Sequence, residues 1–332
     1  MKNHLTLVFL LIFASILVSC EEEDFSTTVE VDLSEYGNQL VVLAPFKTDV
    51  TLDVDTLWYN HFYLVLTKSN DILNEDQYFE RIEDAVVDLF EEGEYNLTLN
   101  HWERGIYISN ANTGIEAGKN YHIEIHSPEY GKVTAKSYIP KRVKVLKALM
   151  SNSNYYDALE DVEKVEFTIE IEDEANVENF YYLNANIIVK LDSSDYDIQT
   201  DLTFNDPIFD KDDFNSDFLE IEEFLNPQFD WSVTFRDELF EGQRKSLKIY
   251  LKKSDLEGSV YDPDTGFFVE AEREIYFIIG AMSRDLYLYK RSALSQSRIA
   301  ENPFAEAIRV YSNIEGGVGI FAGFVEDTVW LK

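Results

Sequence analysis

The sequence predicts a mainly β protein in which an N-terminal immunoglobulin-like antiparallel sandwich is followed by a second, larger β-rich domain with one helix. Three observations lead to this fold class. Apolar and polar side chains alternate in many short segments, which is the period of a half-buried strand. Turn residues separate these segments at the spacing typical of a sandwich. Only one segment, near 283–298, has the apolar stripe and the N-cap of a helix.

The first domain is predicted at residues 25–141. Glu92-Gly93 separates two alternating segments and predicts a tight hairpin turn. Pro140 follows the last strand of this set and marks the boundary. The segments with strand periodicity are 39–45, 49–55, 62–67, 84–91, 94–100, 104–109, 119–126 and 132–139.

The second domain is predicted at residues 142–332. Its helix begins after Ser283, and the stripe consists of Leu286, Tyr289, Ala293 and Gln296. An acid-rich loop is predicted at 206–223. The strand candidates are 165–171, 180–191, 231–236, 246–251, 272–279 and two or three segments within 308–331.

The N-terminus predicts a signal peptide at residues 1–19. The apolar run from Leu5 to Val18 is shorter than the roughly 20 residues of a spanning helix. Its end, Leu17-Val18-Ser19-Cys20, resembles the bacterial lipobox, and Cys20 is the single cysteine of the chain. That resemblance implies lipidation of Cys20 and attachment to a membrane through the lipid. The alternative is an ordinary secretory signal with an incidental cysteine.

An acidic tether is predicted at residues 20–34, and it begins with a run of four acids. Because an anionic run is repelled by an anionic lipid surface, it cannot serve as an electrostatic anchor. Acid-rich runs in this position resemble the export signal that sends lipoproteins of Bacteroidetes-type bacteria to the outer face of the outer membrane. A solvated tether is the alternative. The predicted export signal consists of Glu21, Glu22, Glu23 and Asp24.

The composition excludes some classes of partner. The chain has 63 acidic and 28 basic residues, which gives a net charge of −35. Nucleic-acid binding rewards clustered Lys and Arg, so no nucleic-acid partner is expected. With Cys20 lipidated, no thiol remains for a disulfide, and the fold must depend on burial alone.

Two groups of residues have the chemistry of metal ligands. His122, Glu124 and His126 share one face of a predicted strand, but a rise of about 3.3 Å per residue separates the two imidazoles by roughly 13 Å. One ion cannot bridge that distance, so a polar outer face is expected there. The acid-rich loop offers calcium candidates, although it has no glycine at the sharp-turn position of an EF-hand. A solvated acidic loop and a docking site for a basic partner are the alternatives. These candidates are Asp206, Asp210, Asp212, Asp213 and Asp217.

Enzyme and cofactor motifs are missing from the sequence. The glycines of Gly317-Val318-Gly319-Ile320-Phe321-Ala322-Gly323 are misplaced for a phosphate loop, and close backbone approach explains them better. No G-x-S-x-G elbow occurs. We therefore expect no catalysis and no cofactor, although paired carboxylates leave a hydrolase open.

Three aromatic pairs could stack on sugars. Adjacent strand residues face opposite ways, so one member of each pair is expected in the core. The pairs are Trp58-Tyr59, Tyr155-Tyr156 and Tyr181-Tyr182.

Several blocks resemble motifs of the domain-of-unknown-function 4249 family. The final block is the most specific, and the acid-rich loop near Asp206 departs from the usual pattern. The matching blocks are 118–121, 135–140, 178–182, 237–242, 303–306 and 311–321.

The resemblance implies an outer-membrane lipoprotein of the kind encoded beside TonB-dependent receptors. It implies no catalytic residue, because the family carries no established activity. We expect a surface-exposed accessory or ligand-capture partner of such a receptor. A structural or adhesive envelope protein, a glycan-binding protein or a hydrolase are the alternatives.

Overall fold

The computed structural model describes residues 39–48, 62–69, 80–109, 114–158, 160–191, 195–209, 233–262, 264–300 and 308–331. The protein is mainly β, as predicted. Residues 38–332 form one compact unit. None of the helices in the described ranges is long and apolar enough to cross a membrane.

Among the described residues, seven strands precede residue 140, and they match strands predicted there. The tight turn at Glu92-Gly93 is confirmed, because both residues have positive φ angles of 47° and 87°. The predicted strand 49–55 lies outside the described residues. The seven strands are β1 (Leu40–Lys47), β2 (Tyr63–Lys68), β3 (Val86–Glu91), β4 (Glu94–Glu103), β5 (Ile106–Ile108), β6 (Asn120–Ser127) and β7 (Gly131–Tyr138).

The strands that follow include several that the sequence did not predict. Five of them, at 144–157, 195–200, 203–204, 259–262 and 267–270, show little alternation of apolar and polar residues and were not predicted. The strands after β7 in the described residues are β8 (Lys144–Asp157), β9 (Val162–Glu172), β10 (Phe180–Lys190), β11 (Asp195–Thr200), β12 (Thr203–Phe204), β13 (Val233–Arg236), β14 (Arg244–Lys252), β15 (Ser259–Asp262), β16 (Phe267–Glu270), β17 (Glu272–Met282), β18 (Ile314–Glu315) and β19 (Val318–Trp330).

The predicted helix is present as α2 (Arg284–Ala300), after a one-turn helix α1 (Lys253–Leu256). Ser283 caps α2, since its Oγ accepts a hydrogen bond from the backbone N–H of Leu286 at 3.3 Å. Leu286 and Ala293 of the predicted stripe are buried. Tyr287 lies outside the predicted stripe but is also buried, and its ring centroid lies 4.7 Å from that of Phe180.

Strands from both ends of the chain join in one sheet. Within the described residues the order is β11-β10-β17-β19-β1-β2-β5-β4-β3-β6-β7-β18, and β13 pairs with β10. β1 pairs with β19 in parallel, and β18 pairs with β7. Strands from both sides of the boundary predicted at 141/142 therefore lie in one sheet. The sandwich assigned to 25–141 is completed by strands from the C-terminal end.

Three layers result from this arrangement. The inner face of β1 packs on β6, where the ring centroids of Phe46 and Tyr121 lie 5.4 Å apart. A second sheet, in the order β12-β14-β9-β8, packs on the same face at β17. There the ring centroids of Phe167 and Phe277 lie 5.5 Å apart. The helix α2 covers the opposite face. The central strands are thus buried on both sides.

Candidate functional site

An open polar groove of about 790 Å³ lies on the outer face of the β6–β7 hairpin. β6 and β7 pair so that His122 lies opposite Lys136 and Glu124 lies opposite Thr134. These four side chains point away from the core, because the alternate residues Tyr121, Ile123, Ile125, Val133 and Ala135 fill it.

The rim of the groove comes from three other parts of the chain. Glu92, in the β3–β4 turn, accepts a hydrogen bond from the backbone N–H of Asn120 at 2.8 Å. Glu315 of β18 accepts one from the Thr134 hydroxyl at 3.3 Å. Asp285, in the first turn of α2, also lines the groove. Four carboxylates (Glu92, Glu124, Asp285 and Glu315) thus surround one lysine and one histidine.

Internal hydrogen bonds fix the end of the groove at α2. The Tyr311 hydroxyl donates to one oxygen of Asp285 at 2.5 Å, and the Ser137 hydroxyl donates to the other at 3.3 Å. Burial, together with the Asp285 carboxylate, raises the pKa of Tyr311 to about 12. The Tyr138 hydroxyl accepts a bond from the backbone N–H of Arg284 at 3.2 Å. Asp285 therefore has a fixed orientation toward the groove.

Electrostatics make the groove anionic at neutral pH. Hydrogen bonds from the backbone and side chain of Asn120 lower the pKa of Glu92. The Lys132 ammonium, 2.7 Å from Glu124, lowers the pKa of Glu124. Burial lowers the pKa of His122, whose ring stacks on Phe90 at 4.3 Å. These pKa shifts favour the ionised forms of Glu92 and Glu124 and the neutral form of His122.

The first group of metal-ligand candidates lies on β6. The predicted outer face with His122, Glu124 and His126 is confirmed, and Glu124 pairs with Lys132. Among the described residues no group of three or more His, Cys, Asp or Glu side chains converges as a metal site would require.

Asp206 is the one calcium candidate within the described residues. One of its oxygens accepts from the Ile208 N–H at 3.1 Å, and the other lies 2.6 Å from the Lys245 ammonium. Its carboxylate is thus engaged by the protein itself. The candidates outside the described residues are Asp210, Asp212, Asp213 and Asp217. The lipidation and export residues Cys20, Glu21, Glu22, Glu23 and Asp24 lie outside them as well.

The glycines near the C-terminus serve close backbone approach, as the sequence predicts. A Cβ on Gly319, whose φ is +115°, would lie 2.0 Å from the Val42 carbonyl oxygen. A Cβ on Gly323 would lie 2.4 Å from that of Tyr138. Only glycine allows β19 to lie this close to β1 and to the end of β7.

The expectation that one tyrosine of each adjacent pair lies in the core is wrong for both described pairs. Tyr181 and Tyr182 point to opposite faces, yet both are buried because layers cover both faces of the central sheet. Tyr155 and Tyr156 are both exposed, since β8 forms an edge of its sheet. Trp58-Tyr59 lies outside the described residues.

Three of the blocks that carry the family resemblance line the groove, namely 118–121, 135–140 and 311–321. Asn313, in the 311–321 block, donates to the carbonyl oxygens of Lys136 at 3.0 Å and Phe321 at 2.7 Å, and accepts from the Phe321 N–H at 3.0 Å. This amide holds the 311–321 and 135–140 blocks together. The sequence did not single out Glu92, Lys136 or Asp285 as site residues. Asp285 alone carried a local signal, since it is the acid two residues after a helix cap.

The fold and the groove define the class of the molecule, which is a mainly β, sandwich-like protein with an anionic groove open to solvent. The chain belongs to the family described as Domain of unknown function (DUF4249), whose model matches residues 26–329. No curated protein matches the sequence.

One solved structure similar to this chain is titled "Biofilm associated protein - BSP domain". The two share 9% sequence identity, and the match covers 88% of this chain. This chain spans 59% of that structure's length, and the TM-score is 0.16. A TM-score this low does not indicate a shared fold.

Proposed function

We propose that the protein is a surface-exposed outer-membrane lipoprotein that serves, without catalysing a reaction, as an accessory or ligand-capture partner of a TonB-dependent receptor. The observation that carries the proposal is the lipobox Leu17-Val18-Ser19-Cys20, followed at once by the acidic run that ends at Asp24. Acyl chains on Cys20 would hold a protein of net charge −35 at a bilayer that its folded surface does not attract.

The groove supports a binding role in this proposal. It is open to solvent, and its polar side chains are fixed by neighbouring groups. Ionised Glu92 and Glu124 suit a ligand that carries positive charge or hydroxyl groups. Ligand capture would take place here, beside the first turn of α2.

Three measurements on cells test the proposal. Cys20→Ala should move the protein from the membrane fraction to the soluble fraction without unfolding it. Protease added to intact cells should digest the wild-type protein together with known surface proteins. Mild-detergent purification should recover a TonB-dependent receptor. Retention of the Cys20→Ala variant in membranes contradicts the anchor, protection from protease contradicts surface exposure, and recovery without a receptor contradicts the partnership.

A glycan-binding role is a second candidate, and one observation favours it. Tyr155 lies 5.6 Å from Tyr250, and both Tyr155 and Tyr156 are largely exposed. Exposed aromatic faces at a sheet edge can stack on sugar rings. Replacing both Tyr155 and Tyr156 by Ser should abolish retention on a polysaccharide affinity gel if this role is correct. Equal retention of variant and wild type would exclude it.

A further inference from the structure

The β15–β16 hairpin carries the two most exposed aromatic side chains among the described residues. Phe267 and Phe268 are each 72% exposed, and Tyr261 is 57% exposed. Tyr261 and Phe268 are cross-strand partners with ring centroids 5.7 Å apart. Large aromatic side chains left in water are unfavourable, and a cluster of them marks an interaction surface.

The hairpin forms a two-stranded sheet of its own. Such a sheet is marginal in water unless something else fixes it. Its turn is fixed by Asp262, whose buried carboxylate accepts from the Asp264 N–H at 2.9 Å and from the Thr265 hydroxyl at 2.8 Å. The Gly266 N–H donates to the Asp262 carbonyl at 2.8 Å. The turn therefore holds the aromatic side chains in place before any partner binds, which lowers the entropic cost of binding.

The charge around the hairpin restricts what can bind it. Between residues 254 and 272 the sequence has six acidic residues and no Lys or Arg. Asp264, Glu270 and Glu272 are exposed there, whereas the carboxylate of Glu257 lies 3.3 Å from the Lys253 ammonium. A second copy of a chain with net charge −35 would be repelled, and so would an anionic bilayer. A protein surface with basic side chains is attracted.

We propose that the β15–β16 hairpin is a docking element that enters an apolar cleft rimmed by Lys and Arg side chains on a protein partner, with Phe267 and Phe268, which face opposite ways on β16, packing against opposite walls of the cleft. Aromatic anchors surrounded by complementary charge are the usual composition of an interface hot spot. The inference rests on the proposed function, for which it identifies the surface that contacts the receptor. The groove and the hairpin are separate sites, since none of the groove residues belongs to β15 or β16.

The test uses the full mature lipoprotein in detergent and the purified TonB-dependent receptor encoded nearest to it. Binding is measured for the wild type, for a Phe267→Ser/Phe268→Ser variant and for a matched Val177→Ser/Leu239→Ser control. Val177 and Leu239 are also exposed apolar side chains, at 44% and 68%. Because all four residues are exposed, circular dichroism and the urea midpoint should match those of the wild type.

We expect the Phe267→Ser/Phe268→Ser variant to bind the receptor about tenfold more weakly or worse, and the control to bind within about twofold of wild type. Wild-type binding should weaken as NaCl rises from about 50 to 300 mM. An Asp264→Asn/Glu270→Gln variant should show a smaller salt dependence.

The outcomes separate this inference from the proposed function. If the wild type binds the receptor and the Phe267→Ser/Phe268→Ser variant binds equally well, the hairpin is not the docking element, and the receptor partnership stands. If the wild type does not bind the receptor, both fail. Wild-type binding to phosphatidylcholine vesicles, or self-association in sedimentation, that the two serines abolish would assign the hairpin to lipid or to a second copy and overturn the inference.

Discussion

Phe46 of β1 and Phe321 of β19 stack face to face, with ring centroids 4.5 Å apart and an interplanar angle of 11°. Both rings are buried, and Phe62 packs edge-on against each of them. This cluster fastens the first described strand to the last one. It lies where the two strands pair in parallel, with Ala44 opposite Phe321.

Replacing Phe321 by Ala should lower the free energy of unfolding by about 3–5 kcal/mol, because it removes a fully buried ring and leaves a cavity beside Phe46 and Phe62. Urea denaturation followed by fluorescence measures the change. Leu239→Ala is the control, since a 68% exposed side chain should change stability by about 0.5 kcal/mol or less. A similar effect of both substitutions would show that the stacked pair does not fasten the sheet.

Gly319→Ala should destabilise the protein by about 3 kcal/mol or more, because the added Cβ meets the Val42 carbonyl oxygen at 2.0 Å and the backbone φ is +115°. Gly258→Ala provides a matched comparison. Gly258 has a φ of +101°, and nothing lies within 4 Å of its ideal Cβ, so its substitution should cost only the conformational strain of about 1–2 kcal/mol. Equal costs would mean that the close approach of β19 to β1 does not require glycine.

Asn313→Ala should cost about 1–3 kcal/mol, because it leaves the Phe321 backbone groups without the side-chain amide that satisfies them. Asn313→Asp should cost at least as much, since a carboxylate oxygen would face the carbonyl oxygens of Lys136 and Phe321. Thermal unfolding of both variants at neutral pH measures this order. An Asn313→Asp variant as stable as wild type would show that the side-chain amide of Asn313 does not hold the 311–321 and 135–140 blocks together.

The free energy of unfolding of the Asp237→Asn variant should rise relative to that of wild type as pH rises from about 4 to 7. Asp237 is buried, and burial, with the nearby negative charge of Asp173, raises its pKa. The folded state therefore holds the proton more strongly than the unfolded state, in which the pKa is about 3.9. Wild type loses stability as pH rises through the folded pKa, whereas Asn has no proton to lose.

Urea midpoints at several pH values test this prediction. The backbone N–H of Asn179, which donates to Asp237 at 2.8 Å, keeps an oxygen acceptor in the Asn variant. The hydrogen bond is thus preserved while the charge is removed. A stability difference between the two proteins that stays constant with pH would show that Asp237 is not the group responsible.

Much of the fold could be predicted from the sequence, where one face of a strand is buried and the other is not. β6 shows this clearly, since Ile123 and Ile125 are inward while His122 and Glu124 face the groove. β8 was not predicted because an edge strand exposes Leu149, Met150 and both of its tyrosines, which removes the alternation. The pairing of β1 with β19 has no local signature, because register between distant segments depends on contacts that no window of sequence contains.

The candidate site was predicted only in part, for the same reason. Strand periodicity identifies His122 and Glu124 as a polar face. The groove also needs Glu92, Asp285 and Glu315, which approach it from the β3–β4 turn, from α2 and from β18. Their convergence is a product of the tertiary fold. Asn313 belongs to a family block, but its hydrogen bonds to the carbonyl oxygens of Lys136 and Phe321 depend on the tertiary fold.

The parallel pair of β1 and β19 has a consequence for biosynthesis. A ribosome releases residues 318–330 after β1 and β17, so these two strands remain without the strand between them until residue 330 has been translated. β1 therefore cannot complete its pairing while β19 is still being made. A premature stop codon before residue 318 would remove β19 and leave β1 and β17 without the strand that pairs with both.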